Sequence, residues 1–208
     1  MVNLRLACLY SYDCRMAKEK GIQEILLDQI NRKGNFSEKE VIAALQELQS
    51  YPAYHLIATI KSQSDLFNEA VIRAYWFGDT DLRFKVLRTL NHNFATLEKI
   101  NIKRMFRINF GSEEAKSLLD CSISWGRVIK LNSDWVEVSE TGLMYGAKRI
   151  ILSTRKRKVD SSFLDKKKIK KDSILSIHIS MAREIIDSQQ ASLLDKRTLE
   201  ALEAIKFE

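Results

Sequence analysis

The sequence predicts an α+β chain in which an all-helical N-terminal domain precedes a small β-barrel with a C-terminal helix. Three observations lead there. Through the first hundred positions apolar residues recur at intervals of three and four. Beyond them the apolar residues alternate in short runs separated by Gly, Asn, Asp and Ser. The end of the chain returns to helical spacing with Leu193, Leu194, Leu199, Leu202 and Ile205. The expected domains are 1–100 and 101–208.

The helical half is read element by element. Ile22, Ile25, Leu26 and Ile30 form the first clear stripe, closed by Gly34-Asn35. Ser37-Glu38-Lys39-Glu40 is a capping box that opens a helix with Val41, Ile42, Leu45 and Leu48 on one face. Pro52, the single proline, permits a turn before a helix through Leu56, Ile57 and Ile60, and its scarcity suits long helices. Asp65 is expected to cap a helix containing Leu66, Val71, Ala74 and Tyr75. Gly78-Asp79 punctuates it, and Leu82, Val86, Leu87 and Leu90 continue as a further helix.

The strands follow. Residues 105–111 alternate and suggest a first strand. Val128, Ile129 and Leu131, the turn cluster Asn132-Ser133-Asp134, and Trp135, Val136 and Val138 read as a hairpin. Lys148 to Leu152 gives another strand, and Ile174 to Ser180 a clearly alternating one. Several short strands and one helix in about 100 residues fit a small barrel.

No apolar run reaches the ~20 residues that span a bilayer. The N-terminus lacks the pattern of a secretory signal, so the expected location is the cytoplasm, with reduced thiols. The three cysteines, Cys8, Cys14 and Cys121, match no zinc spacing. The net charge of +7 is local, because residues 155–171 hold nine bases against two acids. These bases are Arg155, Lys156, Arg157, Lys158, Lys166, Lys167, Lys168, Lys170 and Lys171. They form a candidate nucleic-acid contact, with a solvated loop as the plainer alternative. No phosphate-binding glycine loop, serine elbow or helical histidine pair is present, and no complete catalytic constellation is visible.

Two residues carry the best chemistry. His178 shares a strand face with Ser176 and Ser180, a polar face open to solvent chemistry, with a surface histidine without a role as the plainer alternative. Cys121 shares parity with Leu119, Ile123 and Trp125, the pattern of a small core residue. Ala70 to Gly78 concentrates aromatics, including Trp76, and reads either as a partner-binding wall or as a core helix closed by glycine. His92 is expected to cap the last carbonyls of a helix.

The run Cys121-Ser122-Ile123-Ser124-Trp125-Gly126-Arg127-Val128 resembles the opening motif of the HypC/HupF family, accessory proteins of nickel-iron hydrogenase maturation. The cysteine, glycine, basic residue and valine match; Trp125 stands where the family has proline. Asn132 to Val138 corresponds to the family's hairpin, and Ile174 to Ala182 to its later strand and histidine. The resemblance spans about residues 118–206. It implies an OB/SH3-like barrel, a chaperone or carrier function without catalysis, and a protein partner of the maturation type. It implies that Cys121 and His178 hold an iron centre; Trp125 and Arg127 in the matching run, and Trp76 in the separate aromatic run, are the candidate partner contacts. The family's cysteine is N-terminal, whereas 120 residues precede Cys121, and Ser180 replaces a family glycine. The whole chain also resembles a family of bacterial and archaeal proteins with a helical domain before such a barrel and no established activity. That likeness rests on Tyr54 to Ala58, Ala74 to Gly78, His92-Asn93-Phe94 and Cys121 to Val128.

Overall fold

The structure is a computed structural model and describes residues 3–78, 91–105, 113–146 and 149–205. The chain divides into two compact units, Met1–Leu90 and Asn91–Glu208.

The first unit contains α1 (Leu4–Ser11), α2 (Arg15–Glu19), α3 (Gln23–Asn31), α4 (Glu38–Gln46), α5 (Ser50–Ile60) and α6 (Glu69–Phe77). The capping box at Ser37 is formed in both directions. Ser37 Oγ accepts from the Glu40 amide at 3.4 Å, and Glu40 Oε2 accepts from the Ser37 amide at 2.8 Å. Two expectations are corrected. Pro52 lies inside the first turn of α5, where its missing N–H breaks no helical bond. Asp65 accepts from the Phe67 amide in a local turn, and Asn68 is the residue that caps α6, accepting from Ala70. Tyr10, Leu26, Leu45, Tyr54, Ile57 and Trp76 fill the core of this unit. The helix expected over Leu82 to Leu90 lies outside the described residues.

The second unit opens with α7 (His92–Met105) and α8 (Glu113–Asp120). The boundary thus falls before His92, and α7 belongs with the barrel. Met105 ends that helix instead of starting a strand, and the rest of the 105–111 strand lies outside the described residues. Five strands follow: β1 (Ile123–Leu131), β2 (Trp135–Gly146), β3 (Arg149–Asp160), β4 (Ile174–His178) and β5 (Met181–Ile186). They close into a barrel in the order β1-β2-β3-β5-β4. The hairpin around Asn132-Ser133-Asp134 forms as the sequence implied. The third strand, expected only to Leu152, runs on to Asp160, so Arg155 to Lys158 belong to a strand and not to a loop. A charged strand end disguises itself as a loop when it is read by composition. The helix α9 (Ser188–Ala204) closes the chain, capped by a reciprocal Asp187/Gln190 box.

Strand alternation gives the barrel two surfaces. Val128, Val136, Val138, Val159, Leu175, Ile177 and Ala182 point inward and pack together with Ile169. Gly126 and Gly142 share that inward parity. A Cβ on Gly126 would lie 2.8 Å from Val138 and one on Gly142 2.7 Å from Ser124, so neither position has room for a side chain. Helices cover part of the outer surface. Leu97, Ile100 and Leu119 meet Leu143 and Ile150 of the barrel and Ala201 and Ile205 near the end of the chain. Trp125 ties β1 to α9, its indole N–H donating to Asp195 at 2.7 Å.

Candidate metal centre

Three segments of the second unit bring His92, Cys121 and His178 together, with one possible donor atom from each within 4.8 Å of the others. The first is the start of α7. Asn91 accepts from the Phe94 amide at 2.9 Å, the geometry of an N-cap, so His92 is the first residue of its helix. This corrects the expectation of a C-terminal cap. Asn93 fixes the helix to the barrel. Its amide accepts from the Ile123 N–H at 2.7 Å and donates to the Ile123 carbonyl at 2.9 Å, as a neighbouring strand would. Asn93 also donates to Thr198 of α9 at 2.8 Å, so a single buried side chain joins α7, β1 and α9.

The second segment is the junction between α8 and β1. The Cys121 amide still donates to Ser117 at 3.1 Å, and Ser122 Oγ donates to Leu119 at 2.6 Å, closing the helix before the strand begins. Cys121 therefore sits at a helix end, partly exposed. The apolar parity read from Leu119 onward begins only at Ile123.

The third segment is the end of β4, where His178 pairs in register with Ile123. Ser176 and His178 do share the face away from the barrel core, but that face is not open. His178 has 0% exposure, because the helical layer lies over it. The sequence pattern gives the side of a strand correctly and says nothing of what covers it. After His178 the chain reverses through Ile179 and Ser180, both at positive φ (51° and 63°). Such two-residue turns favour Asn and Gly. A β-branched residue in this region is strained by about 1–3 kcal/mol. Arg183 is the extra residue opposite a register shift in β4–β5. It is buried and donates to the His178 carbonyl at 3.2 Å.

Within the triad, Cys121 Sγ lies 3.7 Å from His178 Nε2 and 3.9 Å from His92 Nε2. The two imidazoles meet edge to face with centroids 5.1 Å apart. His92 Nε2 also lies 2.7 Å from the Cys121 carbonyl. A carbonyl only accepts, so the proton is assigned to Nε2. Burial pushes the His92 pKa down from 6.5 to about 4; the Cys121 carbonyl pulls it back up and Lys99 lowers it further. The ring is thus neutral near pH 7, the form that ligates a metal.

The donor set fits a transition metal. Bond lengths of 2.3 Å to sulfur and 2.0–2.1 Å to nitrogen place tetrahedral S and N donors about 3.6 Å apart. The observed 3.7 and 3.9 Å are close to that separation. His178 presents Nε2 directly. His92 has to exchange its bond to the Cys121 carbonyl for the metal and carry its proton on Nδ1.

The other candidate residues are placed as follows. Trp76 is in the core of the first unit, 2% exposed, donating to Tyr54 Oη at 2.7 Å and stacked on Tyr10. It offers no partner surface, since an aromatic run of this length packs inward. Trp125 is half-buried in its bond to Asp195. Arg127 is exposed and reaches the Asp172 carbonyl at 3.3 Å. Arg155 and Arg157 are not free for phosphates, because both pair with Glu140 at 2.7 and 2.9 Å and with Asp120 at 3.4 and 3.3 Å. Lys158 lies over the Trp135 ring and Lys166 near Asp134, while Lys156, Lys167, Lys168 and Lys171 are exposed.

The second unit is therefore a closed five-stranded barrel with packed helices and a His-Cys-His donor cluster on its outer surface. The chain belongs to a family of unknown function (DUF6390), whose model matches residues 85–207. That match takes in the whole cluster. No curated protein and no solved structure matches the chain. Among the described residues no helix is long and apolar enough to cross a membrane.

Proposed function

We propose that this protein holds a single transition-metal ion between Cys121, His178 and His92 and acts as an accessory or carrier protein for it. The observation that carries the reading is the convergence, within 4.8 Å, of a thiol and two imidazoles from three separate segments. A thiolate with neutral imidazoles selects iron, copper or zinc over the hard cations magnesium and calcium. The partly exposed cysteine gives an ion a route in and out, which suits a carrier.

Iron is the metal that the HypC/HupF resemblance names, and the Cys121–His178 pair is the one it names. The closed barrel and the terminal helix agree with an OB/SH3-like reading of the fold. His92 is a donor for which the resemblance has no counterpart. A maturation-type protein partner follows from the same resemblance.

Anaerobic loading with ferrous, cobaltous and zinc ions, followed by elemental analysis, tests the reading. One equivalent of metal is expected, and it should be lost in both Cys121→Ser and His178→Ala. No uptake, or uptake retained in both variants, overturns it. Infrared bands of cyanide and carbon monoxide after co-expression with maturation proteins would identify the iron carrier specifically.

A further inference from the structure

The donor cluster lies outside the barrel wall, and a second polar cluster lies inside it and reaches the segments that carry Cys121 and His178. Ser124, Glu140, Arg155 and Arg157 lie in the inward-facing rows of β1, β2 and β3, with Glu140 in register with Gly126 and Arg155, and Arg157 with Val138; together they fill one mouth of the barrel. Glu140 is 1% exposed. It takes Ser124 Oγ at 2.7 Å, Arg155 Nε at 2.7 Å and Arg157 Nη1 at 2.9 Å. With Glu140 anchoring one edge of its guanidinium, Arg157 turns the other edge outward over the rim. There Nη2 donates to Asp120 at 3.3 Å and to the Ser180 hydroxyl.

These two acceptors are placed beside the donor cluster. Asp120 immediately precedes Cys121, and Ser180 is the second residue after His178. The same two segments also touch through the backbone, the Ile179 amide donating to the Asp120 carbonyl at 3.2 Å. Arg155 reaches Asp120 but its contacts do not include Ser180. Arg157 holds Glu140 through Nη1 and both segments through Nη2, a two-nitrogen span that the single ammonium of a lysine does not reproduce.

We propose that Arg157 is the positioning residue of the metal centre, clamping the α8–β1 junction to the β4–β5 turn so that Cys121 Sγ faces His178 Nε2. The proposal rests on the metal-binding reading above. Loss of an outer partner of this kind lowers metal affinity about 10- to 100-fold.

The test uses the full chain, cobaltous ion as the probe, and the variants Arg157→Met, Arg157→Lys, Ser180→Ala and, as a control, Arg155→Met. Expected are a 10- to 100-fold weaker cobalt affinity in Arg157→Met and Arg157→Lys, with an altered thiolate-to-cobalt absorption band. Ser180→Ala, at an exposed position, should show the same change of band in smaller measure even where Arg157→Met fails to fold. Arg155→Met should keep the band of the unaltered protein. Affinity and band unchanged in Arg157→Lys and Ser180→Ala overturn the proposal. Hydrogen exchange at the Ile179 amide supplies a metal-free arm. Its protection should fall in the Arg157 variants and stay in Arg155→Met. If the unaltered protein takes up no cobalt, the metal reading fails by itself. The Ile179 amide then still decides whether Arg157 clamps the two segments.

Discussion

The barrel carries two polar clusters back to back, one filling its mouth and one on its outer wall, and they are built on opposite principles. In the mouth, Glu140 faces Arg155 and Arg157, with Ser124 and Asp120 completing the set. Opposite charges meet there and neutralise each other, which is how an interior accommodates ions. On the outer wall, His92, Cys121 and His178 bring no opposite charges together; a thiol and two imidazoles are all able to donate an electron pair to a metal. Such a set gains most from a cation placed among them. The mouth therefore reads as structure and the wall as a site, although both are polar and assembled from distant segments.

Removing the thiol should separate the two most sharply. Cys121→Ser is expected to weaken cobalt or zinc binding by more than the ~100-fold that an outer partner gives. The thermal midpoint of the metal-free protein should hardly move, because a half-exposed serine replaces a half-exposed cysteine. Isothermal titration with a parallel melting curve measures both. A large loss of stability with no loss of binding would reverse the assignment of the two clusters.

The converse holds for Glu140. Glu140→Ala leaves two arginines around an empty acceptor, and breaking a buried pair in this way costs about 3 kcal/mol. Urea unfolding followed by near-ultraviolet dichroism reads that loss. The arginines hold the Glu140 carboxyl below its usual range against the effect of burial. A carboxyl held low in the folded state stabilises the protein above its unfolded pKa, and the contribution is lost as pH falls through the folded value. Glu140→Ala should therefore flatten the acid limb of the stability curve.

His92 titrates in a different window. Its folded pKa of about 4 lies below the unfolded 6.5, so between them the unfolded chain binds the proton more readily. Stability is complete above pH 6.5 and declines as pH falls toward 4, by on the order of 3 kcal/mol if the ring stays buried. An imidazole chemical shift that stays neutral down to about pH 4 is the expected result; titration near 6.5 would show that the ring is open to water. Bound metal should hold the ring unprotonated to still lower pH.

These clusters mark how far the sequence could be read. Periodicity placed α3 and α4, the β1–β2 hairpin and α9, because each carries a repeating apolar pattern or a local cap such as Ser37 with Glu40. Cys121 and His178 could be singled out because their neighbours formed an ordered motif. His92 could not. Its partner Cys121 is 29 residues away, and the signal beside it, Asn91 as a cap, speaks only of a helix start. Glu140 was equally hidden, since a buried acid in an alternating strand looks like an exposed one until Arg155 and Arg157 are placed beside it. β5 was missed because the turn before it, Ile179-Ser180, lacks the residues that normally announce a tight reversal.

Gly126 lies on the interior side of the same strand as the outer cluster's neighbour Ile123. It is one of the residues through which the Cys121 run resembles the HypC/HupF motif, yet its position is dictated by packing. A methyl group there would press on Val138 at 2.8 Å and on Ile177 at 3.0 Å. Gly126→Ala should cost about 2 kcal/mol through overpacking and leave metal stoichiometry unchanged. Differential scanning calorimetry with elemental analysis checks it. A variant with normal stability and lost metal would make the glycine part of the site.

The smallest expected effect concerns Trp125, which stands where the resembling motif has proline. Its ring is half-buried and its N–H is committed to Asp195 of α9. Burial raises the Asp195 carboxyl above its usual value while the Trp125 bond pulls it down. Trp125→Phe keeps most of the ring and removes only that donor, at a cost of about 1 kcal/mol. The Asp195 pKa should then move further up, a shift that carbon-detected titration of the carboxylates would resolve. The direction distinguishes two roles for the residue. A tryptophan that tethers α9 to β1 must shift Asp195 when its N–H is lost. One kept for an external partner should leave Asp195 unmoved and change only the binding of that partner.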